Sequence, residues 1–184
     1  MSNIDIKNQI ILKEILLQDD VVESIKNNFS YLVKIIPEIK PMISFDQKNP
    51  NHHLDVWNHT LCALSYSEKS FDERLVLLLH DIGKPFSYQD DKNGIRHFNN
   101  HPNVSAAISE KILKRLNYKE EYINEILYLI KNHDNKITKE EITKNITLEY
   151  KRYNIQKCDI LAHKKTMLKK RLDYLEKTKK LFNK

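Results

Sequence analysis

One stretch of the chain, from Arg74 to Pro85, limits the possible folds more than any other. It reads RLVLLLHDIGKP, so that an apolar run from Leu75 to Leu79 leads directly into His80 and Asp81. The run is too short to cross a membrane, and the glycine and proline that follow end any helix. The stretch therefore predicts a buried helix with a histidine and an aspartate at its C-terminal end. Burying these two groups without a hydrogen-bond network or a metal ion would cost free energy.

The composition favours helices over sheets. The 184 residues include only two glycines and five prolines, which are too few turn residues for a sheet of many strands. The length suits one domain over residues 1–184, with a core over about 52–163 and a basic helix over about 166–182. We also expect a cytoplasmic protein with no membrane partner, because the sequence shows no apolar span, no signal peptide and only two cysteines.

Apolar periodicity predicts where the helices lie. They are expected at about 8–17, 21–36, 55–67, 72–81, 101–116, 120–133, 148–163 and 166–182. Asp19 or Asp20 is the expected cap of the second helix, and Asp72 that of the fourth. The segment 37–54 lacks a sustained period and is expected to be a long loop. An Asn-Gly pair within residues 86–98 predicts a small β-hairpin or ordered loop, so the expected class is all-α with at most one hairpin.

Side chains that bind metals recur on the inward faces of these helices. Six of them come from five predicted helices: His59, His80, Asp81, His101, His133 and Asp159. Imidazole and carboxylate groups suit Mn, Fe, Co, Ni or Zn, with Mg as a further option, and Asp81 is placed to bridge two ions. We therefore expect one or two divalent metal ions. Asp134, directly after His133, either orients a ligand histidine or is an ordinary helix-end residue.

The order of these residues resembles the H…HD…D pattern of HD-domain metal-dependent phosphohydrolases. His59, His80-Asp81 and Asp159 supply the pattern, and His101 and His133 look like the extra ligands of the two-metal branch. The flanking sequences DVWNHTL, LLHDIGKP, HFNNH and CDILAH are similar to the HD region of bacterial CCA-adding tRNA nucleotidyltransferases. The resemblance covers about 52–163 and implies an HD-type helical bundle.

The same resemblance implies hydrolysis of phosphate esters of nucleotides or RNA ends, by a phosphomonoesterase or a 2′,3′-cyclic phosphodiesterase. About fifty residues precede the similar region, which is too few for a nucleotidyltransferase head, so we expect no CCA addition. The alternative is a non-catalytic module that binds nucleotide or RNA and keeps a structural metal. The sequence leaves the native metal and the oligomeric state open.

Residues beside the ligand set are candidates for catalysis and substrate binding. Asp81 and Lys84 are the expected catalytic residues, because Lys84 is the nearest cation for the free phosphoryl oxygens. Arg96 is the second candidate cation, and a solvated loop lysine is the alternative reading of Lys84. His53 and His97 are candidates for substrate contact and for proton donation to the leaving group, or else surface histidines.

Charge is unevenly distributed along the chain. The net charge is +6, and the segment from Lys164 to Lys184 carries nine of the 31 basic side chains but only two of the 25 acidic ones. The rest of the chain is therefore close to neutral. This basic C-terminal segment either attracts RNA or is a solvated helix face.

Overall fold

The computed structural model describes residues 3–50 and 52–183. Within these ranges the chain forms ten α-helices, three short 3-10 helices and one hairpin. The α-helices are α1 (Asn3–Leu16), α2 (Val21–Asn27), α3 (Phe29–Ile35), α4 (Val56–Ser65), α5 (Phe71–Leu79), α6 (His101–Arg115), α7 (Glu120–Lys131), α8 (Lys139–Lys144), α9 (Ile146–Leu161) and α10 (Leu168–Phe182). The 3-10 helices span Pro37–Met42, Lys84–Phe86 and Lys165–Met167. The predicted all-α class with one small hairpin is confirmed.

The hairpin consists of β1 (Gln89–Asp90) and β2 (Arg96–His97), which pair antiparallel. Gly94 in the connecting turn has a φ of 74°, a value that a residue with a side chain rarely adopts. The Asn-Gly signal in the sequence therefore marked the turn correctly. Because a short connection joins the end of β2 to His101, the hairpin leads the chain into α6.

Several helix boundaries differ from the sequence-based expectation. The second predicted helix is divided at Asn28, which is both the C-cap of α2 and the N-cap of α3. Asp20 caps α2 as expected, since its side chain accepts a hydrogen bond from the backbone N–H of Glu23. Asp72 does not cap α5: Ser70 holds that position, and the Asp72 carboxylate instead accepts from the hydroxyl of Tyr122.

Two segments expected to be irregular are helical. The predicted loop 37–54 contains the 3-10 helix Pro37–Met42, whose Ile39 and Met42 are fully buried. The polar stretch before α9 forms α8, which a capping box between Thr138 and Glu141 stabilises. Capping, rather than an apolar stripe, explains this short helix.

Two apolar clusters hold the helices together. The larger one draws its buried side chains from α1 to α7 and α9, and its centre is the fully buried run Leu75–Leu79 of α5. The smaller one joins α8, α9 and α10 through Ile137, Ile142, Tyr153, Ile160 and Leu175. Because of this second cluster, the basic C-terminal helix packs beside the end of α9 instead of extending into solvent. No described helix is long and apolar enough to span a membrane.

Candidate metal centre

The end of α5 delivers His80 and Asp81 to the centre of the fold. The Nδ1 atom of His80 lies 2.7 Å from the backbone carbonyl oxygen of Leu77, which can only accept, so this nitrogen carries the proton. The other ring nitrogen, Nε2, then faces Asp81 Oδ2 at 3.3 Å and Asp159 Oδ1 at 3.7 Å. The local backbone therefore keeps Nδ1 occupied and leaves Nε2 as the nitrogen that can bind a metal ion.

Helices α4 and α9 complete a first group of ligand atoms. Nε2 of His59 lies 2.7 Å from Oδ1 of Asp159 and 3.8 Å from Oδ2 of Asp81. Asp55 anchors the start of α4, because its carboxylate accepts from the backbone N–H of Asn58. The structure thus brings His59, the His80-Asp81 pair and Asp159 together, all of them buried.

The first residue of α6 and the turn after α7 supply a second group. Nδ1 of His101 and Nδ1 of His133 each donate to a backbone carbonyl, of Phe98 and Ile130 respectively, at 2.7 Å. Their Nε2 atoms therefore face each other, 3.2 Å apart, and His101 Nε2 is also 3.2 Å from Oδ1 of Asp81. One oxygen of Asp81 faces each group of histidines.

Asp134 lies on the ligand side of the second group. Its Oδ2 atom is 3.4 Å from Nε2 of His101 and 3.6 Å from Nε2 of His133. A residue that orients a ligand histidine would contact the opposite nitrogen, Nδ1, but backbone carbonyls already occupy that position. Asp134 therefore joins the residues that face the centre, with about half of its side chain exposed.

The centre contains buried polar atoms that the protein leaves without hydrogen bonds. Among the described residues, His80 Nε2 and both carboxylate oxygens of Asp81 have no partner of hydrogen-bond geometry. Native proteins rarely leave such atoms unpaired, since each costs free energy. Imidazole nitrogens and carboxylate oxygens at these distances are the donor set of a first-row divalent metal. The residues present therefore fit one or two metal ions.

The electrostatics of the centre favour negative carboxylates. Burial by itself raises the pKa of Asp81, but His80 and Lys84 outweigh it and hold that pKa well below its usual range. The neighbouring histidines do the same for Asp159. Burial lowers the pKa of His80, whereas the two carboxylates overcome this effect and raise it to about 10. A proton and a metal ion consequently compete for the same His80 nitrogen.

Lys84 is part of the centre and not a solvated loop residue. It is only 5% exposed, and its Nζ lies 2.8 Å from Oδ2 of Asp81. Nζ also donates to Oε1 of Gln47 at 2.9 Å and lies 5.3 Å from the centre of the Phe98 ring. These contacts hold one positive charge beside the carboxylate that faces both groups of histidines.

The other residues predicted to contact substrate lie farther from the centre than Lys84 does. Arg96 is absent from the residues that line the cavity over the centre: two of its nitrogens bind Asp90, and the third donates to the carbonyl of Asp46. His97 does line this cavity, with Nε2 3.1 Å from Asp91. His53 is exposed and does not line it.

Two histidines that the sequence analysis did not single out lie beside the first group. The ring of His163 is 5.1 Å from that of His59, and the ring of His52 is 4.5 Å from that of His163. Burial lowers the pKa of both, that of His52 to about 2, so both are neutral at neutral pH. His163 follows Asp159 by four residues, a spacing that would have placed it on the same helical face.

A cavity of about 370 Å³ opens above the ligand atoms. Asp81, His101, His133 and Asp159 line its floor, and Lys84 and Arg171 are among its basic lining residues. A molecule in this cavity would lie against residues of both groups. The fold and site thus define a helical domain whose buried histidines and aspartates could hold divalent metal ions.

Comparison with known proteins identifies this class. The profile of the HD domain matches residues 51–176, so the chain belongs to the HD domain family, as its motif predicted. It is 30% identical over 111 residues to the CC-adding tRNA nucleotidyltransferase of Thermus thermophilus, covering 57% of this chain and 25% of that protein. It is 36% identical over 88 residues to the A-adding tRNA nucleotidyltransferase of Deinococcus radiodurans, covering 45% and 20%. The chain spans a quarter or less of these relatives.

Proposed function

We propose that the chain is a metal-dependent phosphohydrolase that acts on phosphate esters of nucleotides or RNA ends, as a phosphomonoesterase or a 2′,3′-cyclic phosphodiesterase. One observation carries this proposal: Asp81 presents one oxygen to each of two groups of histidines beneath an open cavity. Membership of the HD domain family supports the chemical class. The two relatives are tRNA nucleotidyltransferases, which supports a nucleotide or RNA substrate.

The ligand residues divide between two sites. His59, His80, Asp81 and Asp159 would hold one metal ion, and a second would bind His101 and His133 with Asp81 shared. A bound divalent ion supplies Lewis-acid catalysis of phosphoester hydrolysis and makes water more acidic. The native ion remains one of Mn, Fe, Co, Ni, Zn or Mg in this proposal.

The remaining roles belong to side chains of this chain. Lys84 is held by Asp81 and Gln47, so its positive charge needs no rearrangement to stabilise charge that develops on the phosphoryl oxygens. His97 lies at the cavity wall and is the candidate proton donor to the leaving group. Arg96 has no role in this proposal, because it does not line the cavity and is held by Asp90 and the Asp46 carbonyl.

A panel of phosphate esters tests the proposal. The wild-type protein, loaded in turn with Mn, Fe, Co, Ni, Zn or Mg, should hydrolyse p-nitrophenyl phosphate and a 3′-phosphorylated or 2′,3′-cyclic nucleotide with at least one metal. The Asp81→Ala variant should lose metal and hydrolysis together. Hydrolysis that survives in Asp81→Ala would come from a contaminant. Bound metal with no turnover of any ester would favour the non-catalytic nucleotide- or RNA-binding module.

A further inference from the structure

A second cavity, of about 260 Å³, adjoins the metal centre on the side of α10. It shares four lining residues with the first cavity: His133, Asp134, Asp159 and Arg171. The two cavities are therefore neighbouring compartments of one surface, with Asp134, Asp159 and Arg171 at their common border. A molecule with its reactive phosphate above the metal ligands could extend directly into the second compartment.

Three cationic side chains line the second cavity. Lys136 comes from the connection before α8, and Lys170 and Arg171 come from α10. None of the three forms an ion pair or a side-chain hydrogen bond with another residue in the described parts of the chain, in contrast to Lys84 and Arg96. Unpaired cations beside a phosphoester site are suited to further phosphate groups of the same substrate.

The second cavity also offers a rigid aromatic wall. The hydroxyl of Tyr174 accepts a hydrogen bond from the backbone N–H of Ile137 and donates to Oε1 of Gln156. Both bonds hold the Tyr174 ring in place, and Ile160 lines the same cavity. Aromatic faces stack on any nucleobase, and this stacking contributes about 1–3 kcal/mol per base in single-strand binding proteins.

We propose that the second cavity is a subsite for the nucleotide next to the reactive phosphate, so that the preferred substrate is the end of a single-stranded oligonucleotide. This inference rests on the proposed function, since the metal centre defines which phosphate reacts. The base stacks on Tyr174, and Lys136, Lys170 and Arg171 bind the following phosphates. A mononucleotide has a base for Tyr174 but no further phosphate, so it leaves Lys136 and Lys170 without a phosphate partner.

A pair of charge-matched variants tests the subsite. Lys170→Ala/Arg171→Ala removes two cations from the cavity, and Lys169→Ala/Lys180→Ala removes two from elsewhere on α10. At about 100° per residue, Lys169 and Lys180 lie about 160–180° around the helix from Arg171 and about 80–100° from Lys170. Both are exposed, and neither lines either cavity. The two variants therefore have the same net charge, and they differ in whether the two removed cations line the second cavity.

Binding is measured with the metal-loaded protein and a fluorescent eight-nucleotide RNA that ends in a 3′-hydroxyl, a product that cannot be consumed. We expect at least tenfold weaker binding by Lys170→Ala/Arg171→Ala, and less than threefold by the control. The slope of log affinity against log salt should fall by about 1.4, because each phosphate contact to a single strand contributes about 0.7. Lys136→Ala, on a different element, should weaken the same binding.

Kinetics give an independent result. The ratio of kcat/KM for a 3′-phosphorylated oligonucleotide to that for p-nitrophenyl phosphate should fall at least tenfold in Lys170→Ala/Arg171→Ala and stay unchanged in the control. Equal losses in both variants, or no loss in either, would overturn the subsite while leaving ester hydrolysis, and so the proposed function, intact. Binding localised to this cavity with no ester hydrolysed would retain the subsite and refute the proposed function.

Discussion

At the scale of single residues, Asp81 connects the two groups of ligand histidines and Lys84. Its Oδ2 faces the first group of histidines and the ammonium of Lys84, and its Oδ1 faces His101. The side chain is 1% exposed, so these neighbours, and not bulk water, balance its charge. Removing that charge would leave the Lys84 ammonium buried with no negatively charged partner, a change that commonly destabilises a protein by about 3–5 kcal/mol.

The Asp81→Asn substitution therefore has two expected effects. The metal content, measured by plasma mass spectrometry, should fall for both sites, and phosphoester hydrolysis should drop by more than about 100-fold, the upper range for outer-shell residues alone. Asp173→Asn, on an exposed position of α10, is the matched control and should retain its metal. Full metal content in Asp81→Asn would contradict the shared-ligand assignment.

His133 distinguishes one metal site from two. Its Nε2 is close to His101 and Asp134, and among the described residues it can share a metal ion with Asp81 and His101 but lies outside the groups that contain His59. We expect His133→Ala to lose about one metal equivalent while the first group keeps the other, because that group retains all its ligands. His53→Ala, at an exposed position outside the cavity, should keep both equivalents. Unchanged metal content and activity in His133→Ala would show a mononuclear centre.

At the scale of elements, the close packing of α6 against the turn after α5 sets the position of His101 in the second group of ligands. A Cβ atom on Gly83 would lie 2.4 Å from the backbone nitrogen of Ser105 and 2.9 Å from the carbonyl oxygen of His101. The φ of Gly83 is −83°, so the glycine is required for space and not for an unusual backbone conformation. The Gly83 N–H also donates to the Ser105 hydroxyl at 2.9 Å, which draws α6 against the turn.

Gly83→Ala should consequently displace α6 and the His101 that begins it. We expect a loss of about 1–3 kcal/mol in the free energy of unfolding, as for other overpacked sites, and a weaker second metal site. Gly94→Ala serves as the control, since a Cβ there meets no atom within 4 Å and strains only the hairpin turn. If Gly94→Ala weakened the metal site as much as Gly83→Ala does, contact with α6 would not be the cause.

At the scale of the whole molecule, one buried arginine connects α9 to α8 and to the segment before α8. Arg152 of α9 is fully buried and lies 3.2–3.3 Å from carboxylate oxygens of Glu149 and Glu141. It also donates to the backbone carbonyl of Lys136 at 3.0 Å. This network holds α8 against α9 and supports the backbone of one wall of the second cavity.

The pH dependence of stability tests this network. Burial raises the pKa of Glu141, but hydrogen bonds from Thr138 and Arg152 outweigh it and lower that pKa in the folded protein. A carboxylate with a lowered folded pKa contributes stability above its unfolded pKa of about 4.3, and loses it as the pH falls through the folded value. Glu141→Gln should therefore be less stable than wild type at pH 7, and the difference should shrink below about pH 4.

Urea unfolding between pH 3 and pH 7, with chelator present, measures this difference. We expect the free energy of unfolding of Glu141→Gln to be about 1 kcal/mol below that of wild type at pH 7. The loss is small because a third of the Glu141 side chain is exposed and solvent weakens the ion pair. Glu140→Gln, on the exposed face of α8, should differ from wild type by less than about 0.5 kcal/mol at every pH. A difference for Glu141→Gln that grew on acidification would contradict the assigned direction.

The sequence by itself determined the helical class, the hairpin turn and the HD family. Apolar period, caps and the Asn-Gly turn are local signals, so they predict local structure. The spacing of His59, His80-Asp81 and Asp159 also predicted that distant ligands converge, because each lies on the inward face or at the end of its own helix. The proposed roles of these residues in metal binding and hydrolysis stay predictions for the experiments above.

Only the tertiary structure decided which loop residues face the centre. Sequence patterns carry no periodicity through the loop before α4, and there the fold places His52, not His53, at the cavity. Arg96 binds Asp90 across the hairpin and the backbone carbonyl of Asp46, and the apolar spacing that predicts helices shows neither contact. The position of α10 depends on a small apolar cluster shared by three helices. Its polar sequence gave no sign that Arg171 would border the metal centre, because that contact arises from packing between helices.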